Sequence, residues 1–317
     1  MENQATIQQT PVKKQKKTRK IRGSIKMRSF QQFLCTVPSL IFVVLLNHYP
    51  LLEMIRYSFT DWNLLRKTYK YVGFKNWIWL VEKINTNHVL NAFKVTLIYT
   101  VVHLAMIIGV GLLLAFLFNK MSKLFSVMRT VLFMPHYIAM SSAAVVFIWM
   151  YNEQFGILNY LLGLVGIDPI AWMSSGKYAL LSVLILTFWK SVGYDMIIFL
   201  SAMQGISKDY YEAARLDGAS SFAIARKITL PLLGPTTAYL LVTQFISSMK
   251  VFNAIDIMTG GGPNHATEVV VQLLYKMTFD QYRVDRASVV SIVFFVVLLL
   301  ITAVTMRWSD KKTNYDA

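Results

Sequence analysis

Apolar residues gather along this chain in six blocks, at about 31–55, 89–118, 124–150, 178–204, 229–256 and 286–307. Each is close to the length of helix that crosses a hydrocarbon core. The pattern predicts an all-α integral membrane protein with six transmembrane helices. One interruption stands out: a polar stretch between the fourth and fifth blocks that is itself competent to form a helix.

Composition sharpens this picture. Hydrophobic residues make up 55% of the 317 and charged ones 15%, while the formal net charge is +16. In a soluble protein that charge would point to nucleic acid. Here its placement reads as topology, and no nucleic acid is expected. Lys13, Lys14, Lys16, Lys17, Arg19, Lys20, Arg22, Lys26 and Arg28 crowd residues 1–29, which lack the apolar content to fold. The positive-inside tendency holds this tail in the cytoplasm. It serves as a topology anchor or also attracts anionic membrane lipid. With six spans both termini then lie inside, and so does the loop after the fourth span. Arg66, Lys67, Lys70 and Lys75 oppose the charge bias from the first outer loop. Trp62, Trp77, Trp79, Tyr151, Trp172 and Trp308 fall near span ends, where interfacial aromatics gather. The lone Cys35 offers neither a disulfide nor a thiolate cluster. No cleavable signal peptide is recognisable, so the first span should persist.

Enzyme chemistry finds no footing. Gly176-Lys177 is followed by Tyr178 and lacks the upstream glycine of a phosphate loop, so the chain should not hydrolyse ATP alone. No HExxH, GxSxG or cysteine pair occurs. Neither catalytic nor metal-binding residues are expected. His103 and His136 lie within predicted spans and read as hydrogen-bonded interior histidines rather than ligands.

The polar interruption runs EAARLDGASSFAIARKITLP from Glu212 to Pro231. Glu212, Ala213, Ala214, Arg215 and Leu216 favour a short helix, and Gly218 suits a left-handed cap at its end. Small Ala213 and Ala214 permit a close approach, with Glu212, Arg215 and Asp217 as polar handles. That is a docking element, or else a simple capped connection. Pro231 is expected to hold Leu230 out of helical geometry and to open the fifth span.

Glu212-Ala213-Ala214, then Asp217-Gly218-Ala219, then Ile228-Thr229-Leu230-Pro231 closely resembles the coupling loop of permease subunits in binding-protein-dependent ABC importers. Ala225 departs from the aromatic residue often found there. Tyr71-Val72-Gly73-Phe74-Lys75-Asn76, the stretch from Pro135 through Trp149, Asn152, Gly156 and Asn159, and Gly260-Gly261-Gly262-Pro263 resemble the sugar-importing, maltose and glycerol-phosphate branch. The resemblance implies an ABC importer type I transmembrane domain at 89–307 with a cytoplasmic coupling helix. An extra span and outer loop at 30–88 precede it, and tails lie at 1–29 and 308–317. It also implies a second permease subunit, two ATPase subunits that hold the ATP and magnesium, an external solute-binding protein and a carbohydrate cargo. This chain itself would bind no cofactor and would sit in the bacterial cell membrane.

Candidate path residues are polar groups within apolar spans. In the fifth, Gln244, Ser248 and Val251 recur at one-face helical spacing, with Ser247, Lys250 and Asn253 adjacent. The stripe lines a pore, or it bonds neighbouring helices. The fourth carries Trp189, Lys190, Tyr194 and Asp195, aromatic and polar groups that suit a sugar. Lys190 and Lys250 favour an acidic sugar, unless Asp195 and Asp256 neutralise them. Thr259 through Pro263 reads as a hinge, a close backbone approach or an ordinary turn. Two other classes compete: an ATP-independent transporter or channel, which needs inverted repeats or broken helices, and a polytopic membrane enzyme.

Overall fold

A computed structural model describes residues 32–119 and 122–312. The basic tail at 1–29 lies outside the described residues, as do the side chains beyond Arg307, Trp308 among them. Among the described residues there is no strand, only an isolated bridge between Thr60 and Tyr71.

The first compact unit, ending at Arg56, is built on helix α1, Gln32–Tyr57. Most of its large apolar side chains, Phe33, Ile41, Phe42 and Leu46 among them, are exposed, and none is buried. A π turn at Val44–His48 lies just ahead of Pro50. A wide turn relieves the clash between a proline ring and the preceding carbonyls, so the proline is carried without a break.

The second unit begins at Tyr57. Its helices are α2 (Lys75–Lys83), α3 (Val89–Phe118), α4 (Lys123–Phe133), α5 (Met140–Met150), α6 (Ile157–Leu164), α7 (Ala179–Gly205) and α8 (Lys208–Leu216). They continue as α9 over 221–232, α10 (Gly234–Met249), α11 (Asn253–Met258), α12 (Val270–Tyr275) and α13 (Val284–Lys312). Helix α7 is the axis of this unit. Leu184, Leu186, Met196, Phe199 and Leu200 on it are all buried, and α3, α4, α5, α10 and α11 pack around it. Two glycines set the spacing. A Cβ at Gly193 would overlap the Leu132 carbonyl oxygen at the α7–α4 crossing, and one at Gly111 would stand 3.0 Å from the Asp195 Cβ where α3 meets α7.

Among the described residues four helices are long and apolar enough to cross a membrane: α1, α3, α7 and the 284–307 part of α13. The two remaining predicted blocks are not single helices. The block expected at 124–150 turns through 101° between Tyr137 and Met140. The block expected at 229–256 is divided: α9 ends at Leu232, α10 runs only to Met249, and Lys250 to Phe252 separate it from α11. Apolarity carries no information on continuity, because broken backbone is tolerated wherever the surrounding protein satisfies it.

Aromatics assigned to an interfacial belt prove partly structural. Tyr151 is buried, with its hydroxyl donating to the Ser182 carbonyl, and Trp172 packs against the same cluster. Burial raises the Tyr151 pKa above the ordinary phenol value. The matched sequence motifs also acquire reasons. Asn159 bonds the Ile170 backbone in both directions and accepts from the Trp172 indole at 2.9 Å, while Asn76 donates to the carbonyls of Ser58 and Thr60. A Cβ at Gly156 would overlap the Asn152 carbonyl.

Candidate docking loop and transport path

Two residues, Ile206 and Ser207, separate the end of α7 from the start of α8. Ser207 caps it through its hydroxyl, Asp209 occupies the first turn and Arg215 the last, an arrangement that suits the helix dipole. At its C-terminus Gly218 adopts φ +76°. Its N–H donates to the Arg215 carbonyl, and the Ala219 N–H reaches back to Ala214 at 2.9 Å. This paired pattern is a Schellman cap, and it needs a residue free to enter the left-handed region.

No residue of α8 is buried. Glu212, Ala213, Asp217 and Gly218 are exposed, while Ala214 and Ala219 are half-buried. Leu216 is 89% exposed and Phe222 74%, two apolar side chains projecting from a polar loop. The sequence reading passed over Phe222; the signal was its isolation among Ser220, Ser221 and Ala223. The Tyr211 hydroxyl lies 3.4 Å from the Thr229 hydroxyl and ties α8 to the following helix.

Leu230 does not leave helical geometry, contrary to expectation: its φ is −62° and its ψ −44°. A π turn at Ala225–Thr229 precedes it, and Pro231 follows as the second residue after that turn, the arrangement seen at Pro50. Ile228 and Thr229 lie within the turn. The true joint into the next helix is Leu233, with ψ near 0°, and Pro235 stands in the first turn of α10.

The path candidates divide into two sets. Gln244 and Ser248 face other helices: Gln244 Nε2 donates to Asp195 Oδ1 at 2.7 Å, and Ser248 Oγ lies 2.9 Å from His103 Nδ1. Asp195 is wholly buried. Val251 falls in the break after α10 and so lies off the helical stripe. Ser247, Lys250 and Asn253 are exposed. With Tyr239 and Thr243, also exposed, Ser247 and Lys250 form a polar stripe at spacings of four, four and three. The polar face thus sits one position off the stripe read from sequence, which was drawn through residues that bond inward.

On α7, Trp189 is partly exposed and its ring packs 5.3 Å from Phe147. Tyr194 stacks on His136 at 4.9 Å. The Lys190 ammonium donates to the carbonyls of Ile138 at 2.6 Å, His136 at 2.7 Å and Pro135 at 3.4 Å. Neither lysine is neutralised as the sequence reading allowed: among the described residues Asp195 bonds Gln244, Asp256 bonds Gln272, and no ion pair involves Lys190 or Lys250. His103 is buried and bonded to Ser248 as expected of an interior histidine, whereas His136 is half-buried and its ring stacks on Phe133 and Tyr194 instead.

The glycine run is a close backbone approach. Gly260 and Gly261 have φ of +59° and +88°, and a Cβ at Gly261 would meet the Gln272 side chain. Around it buried Glu268 pairs with Lys276 at 2.9 Å and with His265 at 2.7 Å, and Lys276 also bonds the Gly260 carbonyl. Among the described residues no cluster of His, Cys, Asp and Glu could hold a metal ion.

Comparison with known proteins gives one consistent answer. Residues 107–315 match the family described as binding-protein-dependent transport system inner membrane component. The protein named "Probable ABC transporter permease protein YurN" from Bacillus subtilis is 32% identical over 283 residues, 87% of this chain and 94% of that one. The sn-glycerol-3-phosphate transport system permease protein UgpA from Agrobacterium fabrum is 29% identical over 286 residues, 89% of this chain and 96% of that one. A chain of the bacterial alginate ABC transporter, solved in complex with an alginate pentasaccharide-bound periplasmic protein, superposes with a TM-score of 0.81 at 23% identity. It covers 91% of this chain and 96% of its own.

Proposed function

Since the chain belongs to the family of binding-protein-dependent transport system inner membrane components, we propose that it carries a carbohydrate through the membrane, driven by a separate ATPase that engages the loop at 212–231. It is a permease subunit, a transport component rather than an enzyme. The observation that carries the coupling proposal is helix α8: an exposed, firmly capped helix with nothing of its own to bury, joined by two residues to the axial helix α7. A helix without tertiary burial is marginal in isolation, so its capping and its exposed Leu216 and Phe222 suit a partner's cleft.

In this reading α4 with α5, and α9 with α10 and α11, are broken spans, and the membrane is crossed six times. Both termini and the α8 loop then face the cytoplasm. Residues 89–307 form the permease domain, preceded by an extra span and loop at 30–88. The partners are a second, related permease, two ATP-binding subunits that carry ATP and magnesium, and an external solute-binding protein. Glu212, Ala213, Ala214, Asp217, Gly218 and Ala219 dock on the ATPase, and Ile228, Leu230 and Pro231 transmit the motion. The path is lined by Tyr239, Thr243, Ser247, Lys250 and Asn253, with Trp189 and Tyr194 offering aromatic faces. A polar stripe exposed on a helix of this apolarity calls for a wet cavity or a partner subunit.

Broken helices also occur in secondary transporters, but a helix built like α8 has no task there. Glu212→Lys and Gly218→Pro test the assignment in the complex reconstituted in vesicles. Both variants should insert and assemble, yet lose uptake and substrate-stimulated ATP hydrolysis. Normal transport in both would end the coupling reading.

One observation favours an anionic cargo: Lys250 is exposed on the stripe and is unpaired among the described residues, whereas the charge of Lys190 is committed to backbone carbonyls.

A further inference from the structure

Lys190, Gly193 and Tyr194 lie at i, i+3 and i+4, on one face of α7. All three meet the same short segment, the end of α4 and the bend that follows it. Gly193 admits the Leu132 carbonyl where no side chain fits, Tyr194 stacks on His136, and the Lys190 ammonium gathers the carbonyls of Pro135, His136 and Ile138. These carbonyls lie where the chain turns through 101°; Pro135 O already accepts the Ile138 N–H at 3.2 Å, so the ammonium's shorter bonds, to His136 and Ile138, are the ones the bend leaves to it. At membrane depth the His136 and Ile138 carbonyls would otherwise lie unsatisfied. A single ammonium, with three donors and a flexible stem, answers both.

We infer that Lys190, Gly193 and Tyr194 form a clasp that locks the bend between α4 and α5 to α7, so that the two half-helices travel with α7 as one body during transport. Lys190 is thus a positioning residue rather than a contact for the cargo. The inference deepens the permease reading and rests on it for its consequence. Helix α8 follows α7 directly, so a displacement at the docking loop enters α7 first and reaches the bend of the broken span through this face. Without the clasp, α7 moves and the bend yields instead of following.

The test measures the bend itself. Cys35→Ser removes the only cysteine. Spin labels at Val127→Cys on α4 and Val145→Cys on α5, both well exposed, then report the distance across the bend in the purified, reconstituted complex. The unaltered clasp should give one narrow distance distribution. Lys190→Met should broaden it and abolish uptake while the complex still assembles, and Lys190→Arg should restore both. A narrow, unchanged distribution in Lys190→Met overturns the clasp. If Lys190→Met yields no complex, Gly193→Ala replaces it: the ammonium stays, the Leu132 carbonyl is crowded, and the same broadening is expected, with an unchanged distribution again decisive against. The distance does not depend on transport. A wild-type complex with a narrow distribution and no ATP-driven uptake would therefore refute the permease reading alone.

Discussion

Gln244 on α10 donates its carboxamide to the Asp195 carboxylate on α7 across 2.7 Å. Asp195 is fully buried, and its second oxygen has no partner among the described residues. The bond therefore joins two helices at a point where losing it leaves a polar group stranded in an apolar interior.

Gln244→Leu should destabilise the complex by about 1–3 kcal/mol, the usual cost of leaving a buried polar group unpaired. Thermal unfolding in detergent measures it. Because removing both partners is cheaper than removing one, Asp195→Leu combined with Gln244→Leu should recover much of the loss. A double variant worse than the sum of the singles would contradict the pairing.

The divided stripe predicts a labelling pattern. Cysteines at Thr243, Ser247 and Lys250 should react with a hydrophilic maleimide and be shielded when the cargo is present. Cysteines at Gln244 and Ser248 should react slowly with or without cargo. Equal reactivity of the two sets would remove the proposed path.

Lys250→Met should weaken competition by acidic oligosaccharides for uptake and leave neutral ones unaffected. Indifference to the substitution would return Lys250 to the role of a solvated surface charge.

Asn159→Ala should cost of order 1–3 kcal/mol, since it strips the partner from the Trp172 indole and both backbone groups of Ile170. The loss should appear in thermal stability, with the cargo affinity of the surviving complex unchanged.

How far the sequence alone reaches can be judged from these residues. Val89–Phe118 and Ala179–Gly205 were readable almost to the residue, because a run of apolar side chains in lipid has one local solution, an internally bonded helix. The Gly218 cap was readable too, because a left-handed position after helix formers asks for glycine. Breaks in the other spans were not. What permits the bend after Tyr137 is an ammonium more than fifty residues further along the chain, and no local pattern records that debt. Leu230 misled for a related reason: a proline restricts its predecessor locally, but a π turn one step earlier accommodates the ring. Gln244 and Ser247 are indistinguishable by composition. Only the position of α7 and α3 decides that one bonds inward and the other is exposed.

The account stands or falls on which side of the membrane α8 occupies. Glu212→Cys in the Cys35→Ser background should be modified by a membrane-impermeant thiol reagent in inside-out vesicles, protected there by the bound ATPase, and untouched in right-side-out vesicles. Modification from the outside in intact right-side-out vesicles would contradict it.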